Sequence, residues 1–374
     1  MSNSSNPIRV LTPDLTILGE FDDYESLQLV RRWNKYGEFT LYINKNKPGV
    51  EVFQKGNVIL FDKTGKKSGY IKHRQIQLGD DGRASETLQI IGYTLGGVCA
   101  TRLIIPPPGQ TQDIVQVVPA EWAMKYYVDS HIVDPIDPKR KIDLVDTAVM
   151  HGLGPRITWF SRYGNLADEL QSISISTGLG WNVTPDFEQK KWIFDVMQGR
   201  DLTVNNTDDN PPVIFSPEFD NVDDMTFTDS DMNYRNYGYV AGQGEGVDRA
   251  IVEVGSATGM DRLEVFIDAR DVEDDSELPS RGQAKLLEFG QELSLEGKVM
   301  STPSFTYEKD WDLGDYVTVQ NREWGVTMDQ QITVVQEIYE EDQLDIQVTF
   351  GAARPTLIDT LKREFNQMSG EIRR

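Results

Sequence analysis

Two distant stretches of this chain read as variants of one β unit. The first begins with Gly56-Asn57-Val58-Ile59-Leu60-Phe61 and closes with Leu88-Gln89-Ile90-Ile91-Gly92. The second begins with Gly314-Asp315-Tyr316-Val317-Thr318-Val319 and closes with Ile346-Gln347-Val348-Thr349-Phe350-Gly351. Each opens with glycine and a polar residue, and each contains a second hydrophobic strand between its two ends. Because internal repeats determine architecture, the sequence predicts two related β-barrels. The alternative interpretation is that the two stretches are unrelated and look alike only because any two β-meanders do.

Composition and charge narrow the function classes. The chain has 374 residues, 39% of them hydrophobic, which is enough for two or three folded domains. No apolar run approaches the roughly 20 residues that span a bilayer, and the N-terminus has no secretory-signal pattern. The net charge of −23 argues against electrostatic binding of DNA or of anionic membranes. This charge indicates either simple solubility or an acidic channel that repels nucleic acid.

Residue patterns for catalysis, metals or cofactors are not found. The single cysteine, Cys99, lies in an apolar segment and is predicted to be a buried, inert thiol. The three histidines, His73, His131 and His151, are scattered and lie near no nucleophile signature. HExxH, CxxC, P-loop and dinucleotide-binding patterns are absent from the sequence. We therefore expect no catalytic residue, no cofactor and no metal.

Breaks in the pattern divide the chain. Residues 8 to 105 read as strands in a barrel or sandwich, and Pro106-Pro107-Pro108-Gly109 ends that run. A helix is predicted from Thr111 through Tyr126, kinked at Pro119 or restarted there. Asn165 is predicted to cap a second helix that stops at Gly178.

Further elements are predicted beyond that helix. They are a hairpin of 180–183 with 191–196, a loop at 205–212, a hairpin of 248–255 with 261–268, and a helix from Ser280 to Gly297.

The chain resembles a known family in three places. Ile8-Arg9-Val10 through Arg31-Arg32-Trp33-Asn34 and Gly37-Glu38-Phe39 resembles the opening of siphophage tail-tip hub proteins, the minor tail proteins of long-tailed phages and prophages of Gram-positive bacteria. Trp311-Asp312-Leu313-Gly314-Asp315-Tyr316-Val317-Thr318-Val319 is similar to a strand near the end of that family. Val348-Thr349-Phe350-Gly351 is similar to its close.

The resemblance implies a tail-hub-like, β-rich α+β fold with two related antiparallel β-barrel domains and α+β insertion domains. The first barrel is expected at 1–105, and the first α+β insertion at 106–208. The second barrel is expected within 209–351, from 209–240 plus 300–351, interrupted by an insertion at 241–299 that contains a helix. A C-terminal helix is expected at 352–374. Its apolar stripe is a candidate interaction surface, formed by Leu357, Leu361, Phe365, Met368 and Ile372.

The resemblance also implies a function and partners. We expect a structural, non-enzymatic virion protein: a homotrimeric hub at the tail tip, similar to the baseplate hub of contractile tails, assembled in the cytoplasm of the host bacterium. Its expected neighbours are a six-fold ring of distal tail protein, the tape-measure protein, and a fibre, a spike or receptor-binding proteins. DNA is expected to pass through without specific binding, and no membrane anchor is expected.

Two alternatives stay open. Some relatives continue into a peptidoglycan-cleaving domain, and paired carboxylates of a glycoside hydrolase or peptidase are compatible with a chain rich in acidic residues. A lytic domain is not expected after the second barrel here. The other alternative is a receptor-binding protein that stacks surface polysaccharide on tryptophans, although these are more often core residues. The seven tryptophans are Trp33, Trp122, Trp159, Trp181, Trp192, Trp311 and Trp324.

Overall fold

A computed structural model describes residues 7–78, 84–270, 272, 274–299, 305–340 and 343–351. The N-terminal part of the chain is made of antiparallel strands with alternating buried and exposed residues, the pattern of a sheet with one face on a core. These strands are β1 (Ile8–Leu11), β2 (Ile17–Phe21), β3 (Ser26–Arg32), β4 (Glu38–Asn44), β5 (Val58–Leu60), β6 (Ser68–Leu78) and β7 (Ala84–Thr94).

The middle of the chain mixes helices and short sheets. The elements are β8 (Asp113–Pro119), α1 (Ala120–Val128), β9 (Val145–Thr147), β10 (Arg156–Ser161), α2 (Leu166–Thr177), β11 (Gly180–Asp186) and β12 (Lys191–Met197). Strand β11 pairs antiparallel with β12, which pairs parallel with β9, and β8 pairs antiparallel with β10.

The C-terminal part returns to strands, with one small sheet and a helix between them. Its elements are β13 (Asp201–Leu202), β14 (Ile214–Phe215), β15 (Val222–Ser230), β16 (Tyr237–Ala241), β17 (Ile251–Val254), β18 (Glu264–Asp268), α3 (Leu278–Leu287), β19 (Glu292–Val299), β20 (Tyr316–Asn321), β21 (Val326–Glu340) and β22 (Gln343–Gly351).

One large sheet joins the two ends of the chain. Its strands run in the order β15-β19-β22-β21-β3-β4-β7-β6-β5-β1-β2, while β20 pairs with β21 and carries β13 and β14. Within the described residues this sheet has two ends, β15 and β2. The chain is therefore β-rich, and the closure of either half into a barrel stays a prediction.

The predicted internal repeat is confirmed at the level of strand pairing. The order β3-β4-β7-β6-β5 in the first half corresponds to β15-β19-β22-β21-β20 in the second, and every pair in both series is antiparallel. We call these two series the first and second ladders. Both carry a register shift at the same place, between Ile71 and His73 in β6 and between Ile332 and Val334 in β21.

The repeat extends to individual hydrogen bonds. The Gly56 N–H donates to the Ile71 carbonyl and the Ile71 N–H donates to the Asn57 carbonyl, at 2.8 and 2.9 Å. In the second ladder Gly314 and Ile332 make the same pair of bonds, with Asp315 as the second acceptor, at 2.8 and 2.9 Å. Gly56 and Gly314 have φ of 92° and 94°, a conformation that favours glycine. The glycine and polar residue that open both stretches of sequence therefore form the same turn twice in the chain.

Each ladder covers its own apolar core. The first contains Phe39, Leu41 and Phe53, and the second contains Phe215, Trp311 and Phe350, in which Phe215 and Trp311 meet edge to face. Helices α1 and α2 pack in a third core, and α3 covers the small sheet of β16, β17 and β18. None of the helices in the described ranges has the length and apolar character needed to cross a bilayer.

Two helix predictions gave opposite outcomes. The prediction for α2 is confirmed: Asn165 accepts the Ala167 N–H at 3.0 Å, and Gly178 ends the helix in the left-handed conformation. The helix predicted from Thr111 is wrong, because Asp113–Pro119 pairs with β10 as a strand. Helix α1 begins directly after Pro119, as in the alternative in which a helix restarts there.

Other corrections lie in the C-terminal half. Helix α3 ends at Leu287, not at Gly297, because Glu292–Val299 pairs with β15 and β22 in the large sheet. The predicted hairpin of β17 with β18 is also wrong. The two strands flank β16, one antiparallel and one parallel. The hairpin of β11 with β12 is confirmed.

Alanine at the two equivalent glycines should separate backbone strain from packing. A Cβ on Gly56 would have no neighbour within 4 Å, whereas one on Gly314 would lie 2.2 Å from the Trp33 ring. We expect Gly56→Ala to lower the free energy of unfolding by about 1–2 kcal/mol, the cost of a left-handed non-glycine residue. Gly314→Ala should cost about 1–3 kcal/mol more through overpacking. Urea denaturation measures both, and equal losses would contradict the packing around Trp33.

Candidate assembly site at the junction of the two ladders

The two ladders are joined by direct strand pairing. Val334–Glu340 of β21 runs antiparallel to Ser26–Arg32 of β3, with Glu337 opposite Leu29 and Val335 opposite Arg31. The first half of β21, Val326–Gln331, pairs instead with β20. Strand β21 therefore serves two neighbours along one edge, and its second half makes the junction.

A buried carboxylate lies in the middle of this junction. The Glu337 side chain is 0% exposed, and its Oε2 accepts hydrogen bonds from Lys67 Nζ at 2.8 Å and from the Tyr339 hydroxyl at 2.5 Å. Its Oε1 accepts one from the Tyr307 hydroxyl at 2.7 Å and lies 3.4 Å from Arg31 Nε. Both oxygens are satisfied, which is the condition for burying a charge without a large penalty.

The cations around Glu337 reach further acidic groups. Arg31 contacts Asp312 at 2.6 Å, and Lys67 contacts Glu308 at 2.7 Å. Lys67 also lies over the Tyr307 ring, 5.0 Å from its centroid. These residues come from β3, from the β5–β6 connection and from the segment before β20. We call this group, Arg31, Lys67, Tyr307, Asp312 and Glu337, the junction cluster.

The electrostatics of the junction cluster favour the charged state of Glu337. Burial alone raises its pKa, but the charges of Lys67 and Arg31 and the hydrogen bonds of Lys67 and Tyr339 outweigh this, so the pKa lies below its ordinary value. Burial is also the first cause that raises the pKa of Tyr307 well above its usual range. Tyr307 therefore stays a neutral donor. The cluster thus holds a charged carboxylate beside a neutral phenol.

Trp33 connects the junction to the middle of the chain. Its N–H donates to the Thr333 carbonyl at 2.9 Å, and its indole Nε1 donates to the Gly178 carbonyl at 3.0 Å. Gly180 and Gly314 pack so closely on its ring that a Cβ on either would lie within 2.4 Å. Trp33 lies in the Arg31-Arg32-Trp33-Asn34 motif, whose spacing does not predict that three parts of the chain meet on this side chain.

Each ladder leaves one strand edge open. In β6, Ser68–Tyr70 pairs with β5, and no described strand pairs with the same edge beyond Ile71. Strand β15 pairs with β19 on one side and with no described strand on the other. Unpaired N–H and C=O groups along such edges favour pairing with a further strand. The open edges are thus the natural place for an additional chain.

The large sheet also has an uncovered polar face. Its cavity of about 380 Å³ is lined by residues of β3, β4, β19, β21 and β22, including Gln28, Thr40 and Gln336. Two basic side chains there are paired with carboxylates: Arg32 contacts Glu38 at 2.8 Å, and Lys298 contacts Asp345 at 2.8 Å, while Glu296 adds a further acidic group to the lining. The opposite face of the sheet carries the two ladder cores.

The residues singled out for chemistry do not converge. His73 and His151 are exposed in separate elements, whereas His131 is buried and lies 3.1 Å from buried Asp113. Cys99 is buried, as predicted, and burial raises the pKa of its thiol to about 12. The described residues hold no group of three or more His, Cys, Asp or Glu side chains that fits a metal ion.

Two other sets of candidate residues have different outcomes. Five of the seven tryptophans are buried, as expected of core residues, while Trp122 and Trp324 are more exposed. The C-terminal stripe lies outside the described residues: Leu357, Leu361, Phe365, Met368 and Ile372. The junction cluster was not predicted from the sequence. The one sequence feature that could have indicated it is the acidic residue Glu337 at a buried position in the alternating pattern of β21.

Comparison with solved structures shows which proteins share this fold. The fold is similar to a tail protein from Neisseria meningitidis MC58, with a TM-score of 0.56, 15% identity, and coverage of 92% of this chain and 96% of that one. It is similar to the 43 kDa tail protein of prophage MuSo2 from Shewanella oneidensis, with a TM-score of 0.57, 13% identity, and coverage of 92% and 98%. Prophage tail protein gp18 from Listeria monocytogenes EGD-e matches with a TM-score of 0.53, 11% identity, and coverage of 98% and 100%. The fold is that of phage tail proteins.

The family follows from the sequence match. The chain belongs to the family described as Siphovirus ReqiPepy6 Gp37-like protein, which it matches over residues 7–352. No curated protein matches the chain significantly. The resemblance to siphophage tail proteins is therefore confirmed: the chain belongs to a siphovirus family and has the fold of phage tail proteins.

Removal of the Glu337 charge should destabilise the chain strongly. Glu337→Gln leaves buried Lys67 without its full counter-charge, so we expect a loss of about 3–5 kcal/mol in the free energy of unfolding. The matched control is Glu20→Gln in the exposed Arg9–Glu20 pair, which should cost less than about 1 kcal/mol. Urea denaturation at neutral pH compares the two. A loss no larger than that of the control would show that the cluster is not the main fastening of the junction.

The same carboxylate predicts a pH dependence. Because folding lowers the pKa of Glu337, its stabilisation is present above the unfolded pKa of about 4.3 and is lost as pH falls through the folded pKa. We expect thermal midpoints of the wild-type chain to fall more steeply below that pH than those of Glu337→Gln. Parallel curves for the two proteins would contradict a lowered pKa.

Proposed function

We propose that this protein is a non-enzymatic, homotrimeric hub at the tail tip of a phage virion. The observation that carries the proposal is the repeated ladder, present twice in one chain and joined edge to edge through β21 and β3. Three chains in a ring supply six similar ladders. A ring of distal tail protein with six-fold symmetry then meets six nearly equivalent surfaces, while the opposite side of the hub keeps three-fold symmetry.

The domain arrangement proposed here follows the ladders. The first barrel is 1–105 and the first insertion is 106–208. The second barrel uses 209–240 and 300–351 around an insertion that begins at 241. Because β19 is paired in the large sheet, we place the end of this insertion before Glu292 and not at residue 299.

The polar face of the large sheet is proposed to line a channel for DNA. The opposite face is covered by the ladder cores, so the polar face is the one left to face an opening. Its glutamine and threonine side chains, with Arg32 and Lys298 paired to carboxylates, offer phosphates little attraction. Weak adhesion to DNA would then come from this wall of uncharged polar, acidic and paired basic side chains, in addition to the net charge of the chain.

The proposed neighbours follow from this placement. The six-fold side would contact the distal tail ring, the channel would receive the tape-measure protein and then the DNA, and the three-fold side would hold a fibre, a spike or receptor-binding proteins. We propose the C-terminal stripe of Leu357, Leu361, Phe365, Met368 and Ile372 as the contact on that side. The separation of the histidines and the burial of Cys99 support a role without catalysis.

The oligomeric state tests the proposal. We expect the purified full-length chain at high concentration to have three times the monomer mass by light scattering. Electron micrographs should show rings with six lobes and three-fold symmetry, because each chain contributes two similar ladders. A stable monomer or dimer at all concentrations, also in the presence of the distal tail ring, would overturn the hub assignment.

A further inference from the structure

We infer that the open edge of β6 pairs antiparallel with the open edge of β15 in a neighbouring copy, with Arg74 opposite Asp229 and Ile76 opposite Phe227. This inference rests on the proposed trimeric hub and specifies the contact that closes it. It follows from the repeat, because the pairing of β21 with β3 within one chain gives the register expected for the equivalent strands of two neighbouring chains.

Strands β6 and β21 hold equivalent places in the two ladders. Both begin by pairing with the preceding short strand, β5 or β20, and both then pass a register shift. Beyond the shift, β21 pairs with β3, whereas the same edge of β6 has no described partner. The second half of β6 is therefore the counterpart of a segment that is already used as a junction.

Strands β3 and β15 are equivalent in the same way. Each is the outer strand of its ladder, next to β4 in the first and next to β19 in the second. Strand β3 uses its outer edge for β21. Strand β15 has no described neighbour at the equivalent edge. The open edges of β6 and β15 therefore correspond to the edges of β21 and β3, which pair with each other.

The register transfers residue by residue. Gln75 opposite Gln89 corresponds to Gln336 opposite Gln347, so Ile76 occupies the place of Glu337 and Arg74 that of Val335.

The same transfer applies to the outer strands. In the first ladder Leu29 lies opposite Phe39, which in turn lies opposite Gly92. In the second ladder Phe227 lies opposite Leu295, which in turn lies opposite Phe350. Gly92 and Phe350 are equivalent, because they lie opposite Ile71 and Ile332. Phe227 thus corresponds to Leu29, and Asp229 corresponds to Arg31.

The chemistry of the two edges is complementary. In the transferred register Arg74 of β6 lies opposite Asp229 of β15, so a basic side chain meets an acidic one. Acidic side chains protect an edge strand from indiscriminate pairing, and a basic edge is the partner that such a strand accepts.

Two details indicate that these edges are incomplete in the single chain. The Arg74 Nε is buried and has no hydrogen-bond partner among the described residues. Ile76 is 50% exposed although it faces the same side of the sheet as buried Leu88, which lies opposite it. In a neighbouring strand, Phe227 opposite Ile76 would cover the exposed Ile76 side chain. A carboxylate opposite Arg74 would pair with its guanidinium group.

Disulfide trapping tests the register. Residues directly opposite in antiparallel strands have Cα atoms about 4.5–5.5 Å apart, within reach of a disulfide. We expect Ile76→Cys with Phe227→Cys to give covalent dimers and trimers on non-reducing gels under mild oxidation. The matched control, Gln75→Cys with Phe227→Cys, places the thiols on opposite faces and should give little product. Native Cys99 is buried and will not interfere.

The outcomes separate the inference from the proposed function. Trimers by light scattering without an Ile76–Phe227 crosslink, or with equal crosslinking in the control, would overturn the edge pairing and leave the hub intact. A chain that never trimerises would overturn the hub and the edge pairing together. Crosslinked trimers with six-lobed rings would support both.

Charge reversal gives an independent test. Arg74→Glu and Asp229→Arg should each raise the concentration for half-assembly about tenfold or more, because each places like charges opposite one another. The double variant should recover most of the assembly. Circular dichroism and thermal midpoints of the monomers are the folding control. Additive losses in a folded double variant would exclude a direct contact between these residues.

Discussion

The structure depends on one strand-to-strand contact, the pairing of β21 with β3, and on the carboxylate buried within it. Backbone hydrogen bonds join the two ladders. The junction cluster restricts how they can be joined, because Glu337 contacts Arg31 of β3 and Lys67 of the β5–β6 connection at the same time. A buried ion pair contributes little net stability compared with an apolar contact of the same volume, but it is costly to leave half-formed. We therefore interpret the cluster as a device that selects one arrangement of the two ladders. Trp33, enclosed by Gly180 and Gly314, extends the same constraint to the middle of the chain.

The sequence predicted the features that are encoded locally. Helix α2 was found because Asn165 and Gly178 mark both ends with their own side-chain and backbone preferences. The repeat was found because a Gly-polar turn and an alternating strand recur together. The errors lie where distant strands decide. Asp113–Pro119 has apolar residues at helical spacing but pairs with β10, and Glu292–Val299 continues the apolar pattern of α3 but is taken into the large sheet.

The site was harder to predict than the fold for the same reason. Glu337 stands out in the sequence only as a charge in a buried alternation, and its partners Lys67 and Arg31 lie far away along the chain. No local spacing rule connects them. The open edges of β6 and β15 are likewise invisible in a sequence, because an unpaired edge is defined by which strands are missing beside it. They become apparent only when the two ladders are superposed strand by strand.

The pairing of the two ladders within one chain has a consequence for how growth of the proposed assembly would stop. Edges that join head to tail form a contact that every new subunit can repeat, so the rotation between subunits decides between a closed circle and an endless fibre. In the proposed ring, the pairing of β21 with β3 would supply half of these rotations within each chain, before any second copy arrives. A loosened junction would leave each individual contact intact and still let the chain polymerise into filaments of varying pitch.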